Sequence, residues 1–503
     1  MHKRRKRLNH KRRKQDTKTR STMKILFLAS EVAPLAKTGG LADVAGSLPQ
    51  AMQKKGVDIA LCMPKYQTID IDAELIDTLE IDFPKATYKG RIFKSTLPDS
   101  TIPIFFIEQN QFFLRDGLYN EAGKDYPDNL LRFCFFSRAC LEVIRRGHYS
   151  ADIIHANDWQ TAMAPVYLKS LYADVEELAR VRSLFTIHNL AYQGSYEVDK
   201  FPMTGLDWNF FRLDGLEFYN RVNLMKGGIL LSDHVSTVSP SYADEIQTPE
   251  FGCGLDGILR MKSEHLTGVL NGADYSQWSP EHDKYLPATY DINTVETNKS
   301  LCKKALLEEF GLPADANKPV FGVVSRLASQ KGLDLLAEAV PKLIKRGAQF
   351  VILGTGEPHI EDSYRALNTI HPNACGVKIS YNERISHLIQ AGSDLFIVPS
   401  RYEPCGLTQM YALRFGAIPI VRHTGGLADT IKDVNSYPDG NGFVFYDPSS
   451  IALQEACIRA LTLYENKHVW WSIVKRAMKQ DFSWDNSAHE YIKLYLKILG
   501  SST

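Results

Sequence analysis

Six residues occur twice in this chain: positions 38–43 and 424–429 both read TGGLAD. Each copy follows an apolar run (24–30 and 417–421) and opens a helical pattern, so each reads as a turn from a buried strand into a helix. Gly39 and Gly40 in the first copy permit a tight turn, and the following helix aims its free N–H groups and positive dipole end into the loop. An anion is the natural guest. Lys37 adds a mobile positive charge, which suits a phosphate or diphosphate. Most such turns merely tighten a strand–helix junction; the repetition is what implies two nucleotide-binding halves.

The second half offers more polar groups at strand ends. Arg326, after Ser325, and Lys331, before Gly332, can clamp a diphosphate and balance the charge that grows on it as it leaves, although cations after strands are commonplace. Gly354 opens a glycine turn, GTGE. In PSRYEPCGLTQ (399–409), Glu403 stands at a strand end with Gly406 leading into the next helix. Its carboxylate can accept hydrogen bonds from sugar hydroxyls or simply cap that helix. Cys405 reads as a small apolar filler, because no partner base accompanies it. In the first half, His188 and Asn189 end one strand and Asn157, Asp158 and Trp159 another. A lone histidine is usually a satisfied core residue, but the company of polar strand ends favours a cleft. No H-E-x-x-H motif and no G-x-S-x-G elbow is present. The residues alone lead to a two-domain, phosphate-binding cleft enzyme.

Positioning these groups takes two series of alternating strands and helices. Strands are expected at 57–63, 151–155, 181–187 and 235–238, then at 320–324, 350–353, 395–399 and 417–421, with helices near 130–145, 333–346, 382–391, 405–415 and 427–434. Residues 70–128 read as an insertion of hairpins and loops. In the tail, Ile492, Tyr495, Leu496 and Leu499 share one face of a helix expected to dock on the first domain. With 503 residues, 44% of them hydrophobic and 23% charged, the chain has the length of two domains and an ordinary globular composition. The domains are expected at 23–268 and 269–482, followed by a returning helix at 483–503. No apolar run is long enough to span a bilayer and no signal-peptide core is present. Eight scattered cysteines without C-x-x-C point to a reducing, cytoplasmic setting. Residues 1–22 carry eleven Lys or Arg against Asp16, net +10, leaving −9 for the rest of a chain whose total is +1. Such an arm is expected to be disordered and could bind phosphates without sequence preference. The strand at Lys24 favours Met23 as the native start, with the arm an upstream extension. The acidic remainder does not suit a nucleic-acid protein.

These blocks resemble those of bacterial glycogen synthases and plant starch synthases. The resemblance rests on SEVAPLAKTGGLADV (30–44), HANDWQTA (155–162), TIHNLAYQG (186–194), TVSPSYADEI (237–246), EFGCGLDG (250–257), LNGAD (270–274), SRLASQKG (325–332), SRYEPCGLTQ (400–409) and HTGGLADT (423–430), and it covers nearly all of the chain beyond the arm. It implies an α/β fold of GT-B architecture, two Rossmann-like doubly wound domains facing each other across a deep cleft. It implies a retaining transfer of glucose from ADP-glucose to an α-1,4-glucan such as glycogen, with no metal and no pyridoxal phosphate. By the same resemblance, Lys37, Gly39 and Gly40 lie near the donor's phosphates or glucose, and Arg326 and Lys331 hold the diphosphate. Glu403, Cys405, Gly406, Gly354 and Thr408 line the donor side. His188 contacts the glucose through its backbone carbonyl, and Glu31, Asp43, Asp158, Asn189 and Asn271 are polar cleft residues.

Two positions depart from the family pattern. Tyr411 stands where related retaining enzymes often have a second glutamate, and Leu131 stands where an acidic residue more usually precedes the arginine. Rival readings are a UDP-glucose or sucrose-forming enzyme of the same architecture, a pyridoxal-phosphate phosphorylase, and an inactive glucan-binding scaffold.

Overall fold

The structure is a computed structural model that describes residues 22–121 and 123–500; the expected basic arm, apart from Thr22, lies outside the described residues. The first domain is built on a nine-stranded sheet. Its strands are β1 (Lys24–Leu28), β2 (Asp58–Pro64), β3 (Glu74–Phe83), β4 (Ala86–Thr96), β5 (Pro103–Glu108), β6 (Ile153–Asn157), β7 (Arg182–Ile187), β8 (His234–Thr237) and β9 (Leu266–Gly268). They lie in the order β9-β8-β7-β6-β1-β2-β5-β4-β3. Neighbours pair in parallel except at one edge, where β4 is antiparallel to both β5 and β3. β1 has both faces covered, with Ile25 to Leu28 fully buried, which is why its sequence is a continuous apolar run and not an alternating one. The second sheet has the order β12-β11-β10-β13-β14-β15, from β10 (Val320–Val324), β11 (Gln349–Leu353), β12 (Cys375–Lys378), β13 (Leu395–Val398), β14 (Ile418–Arg422) and β15 (Phe443–Phe445).

In each sheet the first strand is flanked by a sequence neighbour and by a strand that arrives after a crossover: β1 lies between β2 and β6, and β10 between β11 and β13. At such a reversal the connecting helices go to opposite faces and a crevice opens beyond the carboxyl ends of the strands. Glu31 and Asp158 follow β1 and β6, and Arg326 and Glu403 follow β10 and β13.

The helices that matter to the site are α1 (Gly40–Lys54), α2 (Asn129–Arg145), α3 (Pro240–Glu245), α4 (Thr408–Arg414), α5 (Gly425–Thr430) and α6 (Trp484–Ile498). No helix among the described residues is long and apolar enough to cross a membrane. The chain leaves the first sheet at Gly268, builds the second domain and returns through Phe482. Outgoing and returning segments run side by side: the Ala273 N–H donates to the Phe482 carbonyl at 2.7 Å, and Ser483 pairs with Ala273 in parallel. Trp278 and Phe482 pack against both hydrophobic cores, so this double crossing is a junction of the two domains.

Four expectations need correcting. Residues 70–128 are not simply an insertion, because β5 is a parallel strand of the main sheet, paired to β2, and β4 and β3 extend that sheet from it as antiparallel neighbours. The tail helix docks on the first domain as expected, but on a face rotated from the expected one: Tyr495 is buried together with Trp484, Ala488, Tyr491 and Leu494, whereas Ile492, Leu496 and Leu499 are only partly covered. Its inner face meets polar groups as well as aliphatic ones, and the Tyr495 hydroxyl lies 2.7 Å from His155 Nδ1. The helix expected at 405–415 begins only at Thr408, because Gly406 takes a left-handed φ of 72° that breaks helical geometry. The helix expected at 427–434 is α5, which starts earlier, straight from the second TGG turn, and ends at Thr430.

Candidate active site

The first TGGLAD turn is already holding an anion, the chain's own Glu31. One oxygen of that buried carboxylate accepts the Thr38 N–H at 2.5 Å and the Gly39 N–H at 3.0 Å; the other accepts the Thr38 hydroxyl at 2.6 Å and the Tyr119 hydroxyl at 2.7 Å. Glu31 therefore sits behind the turn and shapes it. The glycines are not demanded by a tight bend. Gly39 is extended, with φ −149°, and a Cβ added to Gly39 or Gly40 would meet nothing within 4 Å. What they leave is open space in front of the loop. Lys37 is not free either: its ammonium lies 2.6 Å from Asp43, whose carboxyl burial pushes above the usual range against the pull of Lys37.

Beyond β6 and β7, Asp158 takes the left-handed backbone, φ 56°, and turns its carboxyl back to accept the His188 N–H at 2.7 Å and the Asn189 N–H at 3.4 Å. Burial raises its pKa to about 7. Asn157 donates its amide to the Leu28 carbonyl at 3.0 Å, so its oxygen is the acceptor that faces His188 Nε2 at 2.9 Å. The imidazole thus carries its proton on Nε2, and burial depresses its pKa to about 3. Asp158 and Asn157 together lock both the backbone and the ring of His188. The Asn189 side chain accepts the Ala191 N–H at 3.1 Å.

Across the cleft, Lys331 lies 2.6 Å from the Glu403 carboxylate, which also accepts the Ser400 hydroxyl at 2.9 Å. Gly332 makes this pairing possible: its φ is 65°, and a Cβ there would lie 2.0 Å from the Pro399 carbonyl oxygen. Glu357 accepts the Ser329 N–H at 3.0 Å and hydroxyl at 2.7 Å, steadying the turn that carries Lys331. Arg326 is exposed and has no carboxylate partner among the described residues. Gly354 packs behind it, since a Cβ would come within 1.9 Å of the Ser325 carbonyl oxygen. Thr408, half-buried, begins α4 after the left-handed Gly406.

The second TGGLAD turn is a different object. Gly425 and Gly426 are packing glycines, with Cβ positions 2.0 Å from the Glu403 carbonyl oxygen and 2.1 Å from that of Cys405. Its donors face Glu245, from the first domain. Cys405 is buried and its thiol pKa is pushed up to about 12, so it is filler and not a nucleophile. Asn271 is buried nearby with its side-chain oxygen unpaired. Tyr411 is stacked on Trp278 at 4.4 Å, beside the double crossing. Beside Leu131, Arg132 is fully buried and uses carbonyls in place of an acidic partner, those of Phe112 at 2.7 Å and Leu118 at 3.0 Å.

The polar strand ends singled out in the sequence thus lie at the two crevices. Glu31 and Gly354 act as supports behind them. Sequence reasoning missed the roles of Tyr119, Glu357 and Glu245, whose partners are far away in the chain, and of Ser400, whose partner Glu403 is only three residues on. Among the described residues, no group of three or more His, Cys, Asp or Glu is placed to hold a metal ion.

Comparisons with known proteins agree over most of the chain. Residues 24–261 match the family model "Starch synthase catalytic domain" and residues 307–475 match "Glycosyl transferases group 1". The chain is 43% identical to a glycogen synthase of Syntrophotalea carbinolica, over 94% of this chain and 99% of that protein. It is 42% identical to one from Thermotoga maritima, over 95% and 99%. The catalytic domain of starch synthase IV from Arabidopsis thaliana, solved with ADP and acarbose bound, superposes with a TM-score of 0.86 at 37% identity, covering 95% of this chain and all of that one. Sucrose-phosphate synthase from Thermosynechococcus elongatus shares the fold, with a TM-score of 0.58 at 17% identity over 95% of this chain. The two facing Rossmann-like domains are a GT-B fold, and the chain belongs to the glycogen and starch synthase family of glycosyltransferases.

Proposed function

We propose that this enzyme transfers glucose from ADP-glucose to the non-reducing end of an α-1,4-glucan with retention of the anomeric configuration, releasing ADP. The observation that carries the reading is the cationic pair at the second crevice, Arg326 exposed and Lys331 paired to Glu403, in a chain of this family. As the bond from the glucosyl C1 to the phosphate oxygen breaks, the acceptor's 4-hydroxyl oxygen bonds to C1 on the same face, and its proton passes to the departing phosphate oxygen. Negative charge grows on the diphosphate, and Arg326 and Lys331 neutralise it without a metal or pyridoxal phosphate. Glu403 orients Lys331 and accepts hydrogen bonds from the donor sugar. The space before Gly39 and Gly40 admits the donor, and Lys37 can exchange Asp43 for a phosphate. His188 is held neutral, so it positions sugar through its backbone and neutral ring and is not a proton donor at ordinary pH. Closing the cleft excludes the water that would hydrolyse the sugar.

The test is ADP release from ADP-glucose with glycogen, beside UDP-glucose and beside a blank without glycogen. Glycogen-dependent release from ADP-glucose alone is expected. Glycogen binding with neither donor consumed would return the protein to the scaffold reading.

A further inference from the structure

Glu245 ends α3 of the first domain and reaches into the second. Its Oε1 accepts the Thr424 hydroxyl at 2.9 Å and the Gly425 N–H at 2.8 Å. One turn earlier, Ser241 gives its N–H and its hydroxyl to Asp429 at 3.0 and 2.7 Å. These contacts end on the Thr424–Gly425 turn and on α5, which together back the Glu403 segment. Gly425 is left-handed, with φ 43°, and the Gly426 N–H donates to the Glu403 carbonyl at 3.1 Å. Neither glycine could carry a side chain without displacing the backbone of Glu403 or Cys405. An unbroken line of contacts therefore joins a carboxylate of one domain to the main chain of Glu403 in the other.

That carboxylate is not comfortable where it sits. Its Oε2 is buried with no hydrogen-bond partner, and burial raises the pKa of the group. An acid half-satisfied in a seam gains from the contact only while the turn's donors face it, and loses little when water replaces them. This suits a catch that engages and releases better than a permanent strut.

We propose that Glu245 is a positioning residue: when the cleft closes, its carboxylate seats on the Thr424–Gly425 turn and thereby holds the Glu403 backbone where Glu403 and Lys331 meet the donor. The inference rests on the glucosyl transfer proposed above. It means that the second domain's donor pocket is completed by the first domain from behind, as well as across the cleft.

Glu245→Ala and Glu245→Gln, each in the full chain, test it. The glutamine keeps an acceptor oxygen for Thr424 and Gly425; the alanine removes it. For the alanine variant kcat should fall about tenfold, with the donor KM within about twofold and the ligand-free melting midpoint unchanged. Glutamine should restore kcat to within about twofold of wild type. Small-angle scattering with ADP bound should give a larger radius of gyration for the alanine variant than for wild type or glutamine. A wild-type kcat in the alanine variant overturns the proposal, and so does a joint loss of kcat and midpoint that glutamine fails to restore. If no form consumes ADP-glucose, the transfer reading fails, and the scattering decides the catch alone: equal radii would dismiss it.

Discussion

Lys331 has two anions to serve. Without a donor its ammonium is 2.6 Å from Glu403, and a bound diphosphate must share it. An ammonium does this well, because it is a compact charge with three freely rotating donors, whereas a guanidinium matches a phosphate through a planar fork. Arg326, exposed and without a carboxylate, is the group available for forked contact. Arg326→Ala should therefore lower kcat/KM by about 10²-fold or more, and Lys331→Arg, which keeps the charge, by about tenfold; steady-state kinetics with ADP-glucose reads the order, and the reverse order would make Arg326 a plain point charge. Asp158 gives a pH prediction. Its folded pKa of about 7 stands above the ordinary carboxyl value of 3.8, so its contribution to stability is full below 3.8 and is lost as the pH rises towards 7. His188, with a folded pKa of about 3, works in the opposite sense, losing stability as the pH falls below 6.5. Asp158→Asn keeps an acceptor for the His188 N–H and removes only the first slope. The variant should gain stability relative to wild type between pH 5 and pH 8, measured by urea unfolding, and an equal difference at both would refute the raised pKa.

Elements decide how far these residues could be read in advance. Strands β1, β10 and β13 were legible because burial on both faces leaves an uninterrupted apolar signature, and the residues after them were legible as polar strand ends. The edge hairpin β3–β4 was harder to place, since its half-exposed residues do not announce which sheet they join. The inner face of α6 is hard to read from periodicity because Tyr495 serves a polar partner inside the first domain: His155 bridges Tyr495 at 2.7 Å and Thr186 at 2.6 Å. The supports Glu31 and Glu245 escaped for a related reason. A glutamate beside a cleft looks like a ligand contact until the N–H groups it faces are known. Tyr495→Phe should strand one nitrogen of the buried His155 and cost about 1–3 kcal/mol, lowering the melting midpoint by several degrees. Turnover at 25 °C should not change, because the Tyr495 hydroxyl reaches His155 and Met52 and none of the site residues; a loss of turnover without a change in midpoint would contradict this separation.

For the whole molecule, two chain crossings lie side by side and are hydrogen-bonded to each other at Ala273 and Phe482. A single linker would let the domains swivel, whereas a paired one favours bending about one axis, which keeps the two crevices facing. ADP bound to the second domain should stabilise the folded state by about 2.7 kcal/mol at 100 times its dissociation constant. The melting midpoint should rise with ADP in wild type and not in Arg326→Ala, and a shift of equal size in both would place ADP away from the cationic pair.

The return of α6 also sets an order of events during synthesis. The seam of the first domain that holds Met52 and His155 is closed by Tyr495, a residue translated after the entire second domain. A nascent chain that has finished its second domain still carries an open first one, with apolar surface waiting for the last turns of helix. Loss of the final twenty residues would therefore injure the part of the protein made first, and a chaperone that follows the ribosome would find its work at the beginning of the chain, not at its end.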